Sequence, residues 1–434
     1  MSTAPVYAPA ASASSSRANL SIAAVIFALF VLAALFGAER KDITQGFDEV
    51  AHASYVAAIQ DTGQASPDLD RMRMLDPRTF RFTDRPNYLN HPPAFYDLLA
   101  WLGPKLEGHP QALLVDRLID VVIAALGLAA LLGLGLAAGF ARNEFYAYAV
   151  PLACIPVLAP LAGSINNDNL AFFGGALATL GVWQLAASER AGWLAPALIG
   201  VVVAAWAKAT GLVLTGTMVS AAVAYLIWRR RWRWPWTVAV AVAFLAAAAP
   251  YVVFTMHYGS PAPDTPALAA MLKHDARALG LADVPRRSFP EYLGYFVVAF
   301  ISGWMPALHP RGVINNAMLV IPTAALVCAA AGMALSLRRL WARRETALDV
   351  VVVAGAAALA LTLVLHVRHS YADYLATGWP MEAYPRYYLP LVAVVPLAGL
   401  SLVNAVGSPR WRTALLAFLI AGPIVFRLLG APLG

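Results

Sequence analysis

The stretch GFDEVAHASY, beginning at Gly46, puts a carboxylate, an imidazole and a phenol within reach of one another. Asp48, His52 and Tyr55 are spaced by four and three, so a helix through them would carry all three groups on one face. A carboxylate so placed can take the proton of a hydroxyl or amine as that group attacks, the work of a general base. Plainer readings stand beside it. Asp48 follows Gly46 and Phe47 at the start of a helical stretch, where an aspartate caps the first turn. Asp48 and His52 would also supply two ligands of a divalent metal, short of the usual set of three or four. No cofactor is expected.

Further polar groups stand out because their surroundings are greasy. Asn167 and Asp168 lie in SINNDNL, a short polar turn between two apolar runs that would hold a second carboxylate with little freedom. Lys208 interrupts about 36 apolar residues; at a bilayer centre it costs roughly 2.5 to 3.5 kcal/mol, which suits a break at the interface eased by Gly211, with an anion as its partner. Arg386, flanked by Tyr384, Tyr387 and Tyr388, can grip a phosphate through two parallel hydrogen bonds. His91 sits in NHPPAFYDLL, where an Asn cap and first-turn prolines would open a helix and stiffen the imidazole's position. Arg117, between Asp116 and Asp120, reads as a local ion pair, and the pairs His366/His369 and His309/Arg311 read as loop residues.

The elements that must position these groups are membrane helices. Of 434 residues, 60% are apolar and 13% charged, and the mean hydropathy is +0.65. An apolar core of about 30 Å needs about 20 residues per helix, and runs of that kind recur from Leu20 onward. Eleven spans are predicted: 20–38, 113–138, 147–162, 170–187, 192–207, 211–228, 236–256, 313–337, 347–367, 387–406 and 413–429. Arg17, Arg142, Arg190, Arg229 to Arg233, Arg338 to Arg344, Arg410 and Arg412 then fall on one side, which the positive-inside rule makes cytoplasmic. That distribution explains the net charge of +7 without nucleic acid. The two cysteines, Cys154 and Cys328, lie inside apolar runs, so no disulfide framework is expected.

Residues 1–18 read as a disordered cytoplasmic tail and 19–430 as a single membrane domain. Its outer side collects a large, partly helical first loop at 39–110, the turn at 164–169, a second large loop at 257–312 and the segment 368–386. Within the second loop, Glu291 to Trp304 is expected as an interfacial or re-entrant helix.

The order F-D-E-x-x-H, H-P-P-x-x-Y, N-N-D-N-L, K-x-T-G and R-Y-Y-L-P, on this topology, resembles the GT-C superfamily. These are integral-membrane glycosyltransferases that use polyprenyl-phosphate sugars, among them protein O-mannosyltransferases and lipid A aminoarabinose transferases. The resemblance implies an all-α polytopic fold and a sugar transfer at the periplasmic face of a bacterial inner membrane. It implies that Asp48 is the acidic base of the first loop, with Glu49 its neighbour and Asp168 the second acid. Lys208 and Arg386 would contact the donor's phosphate, with His52, His91, Asn167 and Tyr387 lining the substrate site. The expected partners are a polyprenyl-phosphate sugar, a glycan, lipid or protein acceptor, and membrane lipid. One departure is that no soluble domain follows the last span. A polysaccharide ligase or polymerase shares the lipid-linked substrate and is the nearer rival. A secondary transporter is the other, though it would show inverted repeats.

Overall fold

The computed structural model describes residues 13–263, 265–281, 284–303, 316–380 and 383–429. The chain is an all-α polytopic membrane protein. Among the described residues, eight helices are long and apolar enough to cross a membrane, and a bent pair brings the count to nine.

The order begins with α1 (Ala13–Arg40), α2 (Glu49–Thr62), a two-stranded antiparallel hairpin of β1 (Arg73–Leu75) and β2 (Phe82–Pro86), and α3 (Ala94–Leu102). Next come α4 (Leu113–Ala137), α5 (Arg142–Ala153), α6 (Leu158–Ala162), α7 (Asp168–Ser188), α8 (Leu194–Ala207) and α9 (Ala209–Trp228). The second half holds α10 (Trp234–Tyr258), α11 (Pro266–Ala278), α12 (Phe289–Ser302), α13 (Asn316–Trp341), α14 (Ala347–Thr377), α15 (Val394–Ala405) and α16 (Pro409–Leu429).

The eleven predicted spans resolve as follows. Eight are the long helices α1, α4, α7, α9, α10, α13, α14 and α16. The predicted span 387–406 is a 3₁₀ turn, Pro385–Leu391, running into α15 with a bend of 65°. The predicted span 147–162 is instead two short helices: α5 runs through Pro151 to Ala153, and the chain breaks around Pro156, which disfavours helix at Ile155. The predicted span 192–207 is a 3₁₀ turn plus α8, together Ala191–Ala207 and shorter than a full crossing. The expected interfacial segment is α12. His366 and His369 are not loop residues but lie on α14, whose last turns continue to Thr377 because Tyr374 packs on Tyr292 and Phe296 packs on His366. His309 and Arg311 lie outside the described residues.

Small residues decide how the helices meet. Along α7, Gly174 and Gly181 face Ala204 and Ala197 of α8, and Gly200 of α8 faces Ala178, each so closely that a Cβ would strike backbone. Contacts of this kind let helix backbones approach where lipid offers no hydrophobic drive. The pairing brings the start of α7, Asp168, beside the end of α8, where Lys208 follows. Gly175 meets the carbonyl of Pro390, which docks the 3₁₀ turn carrying Arg386 against α7.

The first loop is a packed body rather than a strap. Ile43, Tyr55, Phe80, Phe95, Tyr96 and Leu106 are buried in one cluster that reaches Ile165 and Phe254. Charges sort to the two ends of the bundle. At the end predicted to be cytoplasmic, Arg412 pairs with Glu144, Arg231 with Glu189 and Arg229 with Glu345, each at 2.8 Å.

Candidate active site

The backbone enters the site through a strained turn. Gly46, Phe47 and Asp48 all have positive φ, 109°, 59° and 60°, and a side chain makes that conformation costly at the last two. Asp48 therefore stands at the N-cap position of α2 without capping it: its side chain makes no cap hydrogen bond. The carboxylate turns outward instead. Its Oδ1 accepts the Tyr88 hydroxyl at 2.9 Å, and its Oδ2 accepts Arg386 Nη2 at 2.6 Å.

The expected face of Asp48, His52 and Tyr55 is formed in part: His52 and Tyr55 both stack on Tyr96, while Asp48, in the left-handed turn before α2, gives its carboxylate to Tyr88 and Arg386. Tyr55 is fully buried and stacks on Tyr96 with ring centroids 3.9 Å apart. His52 is 2% exposed, and both of its nitrogens are engaged. Asn166 settles its tautomer. The Asn166 oxygen accepts the Asp168 N–H at 2.9 Å and its amide donates to the Phe47 carbonyl at 2.8 Å, so the amide nitrogen also faces His52 Nε2 at 3.2 Å. Nε2 is then the acceptor and Nδ1–H donates to the Tyr96 oxygen at 2.9 Å. Burial lowers the His52 imidazole to about 3, so it is neutral at pH 7. His91 stacks on it with centroids 6.0 Å apart and is likewise held neutral by burial.

From Asp48 a line of alternating charges runs across four distant segments. Arg386 Nε lies 3.6 Å from Asp168 Oδ2, and Lys208 Nζ donates to Asp168 Oδ1 at 2.9 Å. Lys208 also sits 3.8 Å over the Tyr387 ring. The Lys208 side chain is only 7% exposed, so it does not snorkel to water. It caps both α8 and α9 in an extended conformation with φ −164°, and this one residue is the break. Gly211 does not make the turn, as the sequence suggested; it lets α9 close on the Ala204 carbonyl. Asn167 is fully buried and donates to the Ala207 carbonyl at 2.8 Å, satisfying the break from behind.

Two cations and two carboxylates leave the line neutral. It is nevertheless loosely joined in the middle: Arg386 Nε and Asp168 Oδ2 face each other at 3.6 Å, beyond hydrogen-bond distance, and neither has another hydrogen-bond partner among the described residues. The Asp48 side chain keeps 36% of its surface exposed, which makes it the open end. Enclosure pushes its carboxyl up, but the Arg386 guanidinium outweighs this and, with Tyr88, holds it at about 2.

Glu49 belongs elsewhere. Arg117 does not pair with Asp116 or Asp120 but grips Glu49 through Nε at 2.7 Å and Nη2 at 2.8 Å. Its Nη1 donates to the carbonyls of Ala38 and Lys41, and Glu49 also accepts the Ile165 N–H at 2.9 Å. Lys41 adds an ion pair to Glu49 at 3.4 Å and a hydrogen bond to Ser164. The end of α1, the start of α2, α4 and the 164–166 turn are thereby fastened together. That clamp, with Asp120 accepting the Asn166 N–H at 2.8 Å, sets the separation of Asp48 and Asp168.

Asn90 does not cap α3. Pro93 takes that position, and the Asn90 amide crosses to the Pro263 carbonyl at 2.7 Å. The sequence reading missed Tyr88 and undervalued Asn166 and Asp120. Asp120 had a usable signal, an acid inside an apolar span. Among the described residues, no group of three or more His, Cys, Asp or Glu is placed to hold a metal.

No protein-family model matches the chain, and no curated protein does. Two solved structures are similar to it over most of its length. ArnT from Cupriavidus metallidurans bound to undecaprenyl phosphate shares 14% identity, with 95% of this chain and 88% of that chain covered and a TM-score of 0.36. The apo state of the same protein shares 15% identity, with 82% and 77% covered and a TM-score of 0.36.

Proposed function

We propose that the chain is a membrane glycosyltransferase that moves a sugar from a polyprenyl-phosphate donor to a glycan, lipid or protein acceptor at the periplasmic face of a bacterial inner membrane. The observation that carries this reading is the convergence of Asp48, Asp168, Lys208 and Arg386, four charged groups from four distant segments, with Asp48 at the open end. Such a site suits a reaction in which one bond forms as another breaks at the sugar's anomeric carbon. The acceptor oxygen or nitrogen attacks, its proton passes to Asp48, and the bond to the phosphate oxygen breaks with inversion. The departing polyprenyl phosphate gains negative charge. Lys208 and Arg386 are the groups to meet it, since pre-set cations in a water-poor site stabilise developing charge strongly. Asp168 holds both cations at the proper spacing. Tyr387 underlies Lys208, and His91 lines the mouth. His52, Asn167 and Glu49 serve as positioning residues, each fastened to the backbone that presents a charged group.

Asp48→Asn tests the reading. Membrane vesicles holding wild type or variant receive a panel of radiolabelled polyprenyl-phosphate sugars and a membrane acceptor extract. Transfer by wild type and a loss of at least about a hundredfold in the variant are expected, since general-base catalysis is worth roughly 10² to 10⁴. Transfer that survives the change removes Asp48 from the chemistry, and solute uptake without transfer replaces the enzyme with a transporter.

A further inference from the structure

We infer that Tyr88 is the positioning residue of the base: its hydroxyl keeps Asp48 Oδ1 fixed while Oδ2 receives the acceptor's proton. This rests on the assignment of Asp48 as the base. The argument begins with what anchors that carboxylate. Asp48 has two holds, Tyr88 on Oδ1 and Arg386 on Oδ2. Arg386 is also a cation the donor's phosphate must engage, so its hold on Oδ2 loosens when the donor is in place. The backbone at Asp48 adds no restraint on the side chain, since the left-handed turn leaves it without a cap bond. Tyr88 is then the remaining tether. A phenol donates to one oxygen and leaves the other's lone pairs to the incoming proton. Burial and the nearby Asp48 charge raise the phenol's pKa, which keeps it a donor.

Tyr88 is itself braced from both sides. The neighbouring Asn87 donates from its amide to the Ala51 carbonyl of α2 at 2.9 Å, and its N–H bonds the Met72 carbonyl at 2.9 Å. On the other side, the Tyr88 carbonyl accepts the Thr265 hydroxyl at 3.2 Å, beside the Asn90 to Pro263 bond. Thr265 is the N-cap of α11 and 4% exposed, and its Oγ1 also accepts the Leu268 N–H at 3.2 Å. Tyr258, at the end of α10, adds to the join by accepting the Leu69 N–H at 3.0 Å. The second loop thus holds the segment that aims the base, which gives α11 a reason to be packed there.

The test compares wild type, Tyr88→Phe and Thr265→Val in purified form, using the polyprenyl-phosphate sugar that wild type consumes. Tyr88→Phe should lower kcat roughly 10- to 100-fold, the scale of a misaligned reacting group, with the donor KM unchanged within about twofold. Because the lost hydrogen bond favoured the charged carboxylate, the acid limb of kcat should move up by roughly half to one pH unit. Thr265→Val, which keeps the phenol and frees its backbone, should lower kcat in the same direction by roughly three- to tenfold, and it decides the matter alone if Tyr88→Phe does not fold. An unchanged kcat in the phenylalanine variant, or in Thr265→Val where that variant must decide, overturns the inference. So does a lost kcat with an unmoved acid limb, which marks a packing role. These outcomes leave the assignment of Asp48 standing, whereas an active Asp48→Asn protein sinks both.

Discussion

Asp48 and Glu49 are adjacent in the chain, yet they anchor two ionic clusters of opposite character. The Glu49 side chain has no exposed surface, and it is gripped by both ends of a guanidinium, an ammonium and a backbone N–H. The Asp48 cluster is open at one end, and its middle link, Arg386 Nε to Asp168 Oδ2 at 3.6 Å, is an ion pair too long for a hydrogen bond. A saturated cluster has nothing left to offer a ligand, so its free energy goes into fixing the chain. An unsaturated one carries a standing cost that a ligand can relieve, and buried groups of that kind collect at working sites. The left-handed turn at Phe47 and Asp48 is what lets neighbouring residues face such different surroundings.

Glu49→Gln separates the two most widely. It leaves the buried Arg117 guanidinium without its counter-charge, which costs about 3 to 5 kcal/mol when one partner of such a pair is removed. We expect a lower yield of monodisperse protein and a clear fall in the thermal unfolding midpoint. Asp48→Asn should move both measurements less, because that carboxylate is 36% exposed and Arg386 keeps Asp168 at 3.6 Å, while transfer falls at least about a hundredfold. If Glu49→Gln folds normally and loses only activity, the clamp is part of the chemistry and the contrast drawn here fails.

Arg386→Gln sharpens the contrast from the other side. Removing a charged hydrogen bond to the donor should raise its KM roughly 10- to 100-fold, the equivalent of about 1.5 to 3 kcal/mol. The pH dependence follows from the depressed carboxyl of Asp48. Its value of about 2 lies below the ordinary 3.8, so the ion pair's contribution to stability is complete above the higher figure and is lost as pH falls toward the lower one. In wild type kcat/KM should therefore stay flat through about pH 4, where an ordinary aspartate would already be about half protonated. Arg386→Gln removes the main cause of the depression, so its acid limb should appear at higher pH. A limb that does not move would mean that Arg386 does not govern the base.

Much of this site was legible because its residues are expensive where they stand. Lys208 in an apolar run, Asp168 in a four-residue polar turn and Arg386 among tyrosines each announced themselves by cost or setting. What could not be read was who meets whom. Arg117 has an acid within a turn on each side, yet it pairs with Glu49, 68 residues away, because α1 packs on α4 and the chain returns from α1 to start α2 beside them. Tyr88 had no signal of its own, since an aromatic in a loop is ordinary until a carboxylate is found beside it. Against eleven expected spans, only eight or nine helices among the described residues are long enough to cross, for a local reason: hydropathy reads through the break around Pro156 and through the short α8, which hydropathy extends to a full span.

The smallest effect belongs to the far end of the bundle. Arg231 and Glu189 pair at 2.8 Å, closer than Lys208 and Asp168 at 2.9 Å, but their side chains are 39% and 49% exposed. Water and salt already satisfy both groups, so such a pair contributes about 1 kcal/mol or less. Arg231→Ala should leave transfer within about twofold of wild type and barely move the unfolding midpoint, and raising salt should shrink even that difference. Distance between atoms is therefore a poor guide to what an ion pair does. If Arg231→Ala instead lowered kcat tenfold, the two ends of the bundle would be coupled through α9, the helix that carries Lys208 at one end and Arg229 at the other.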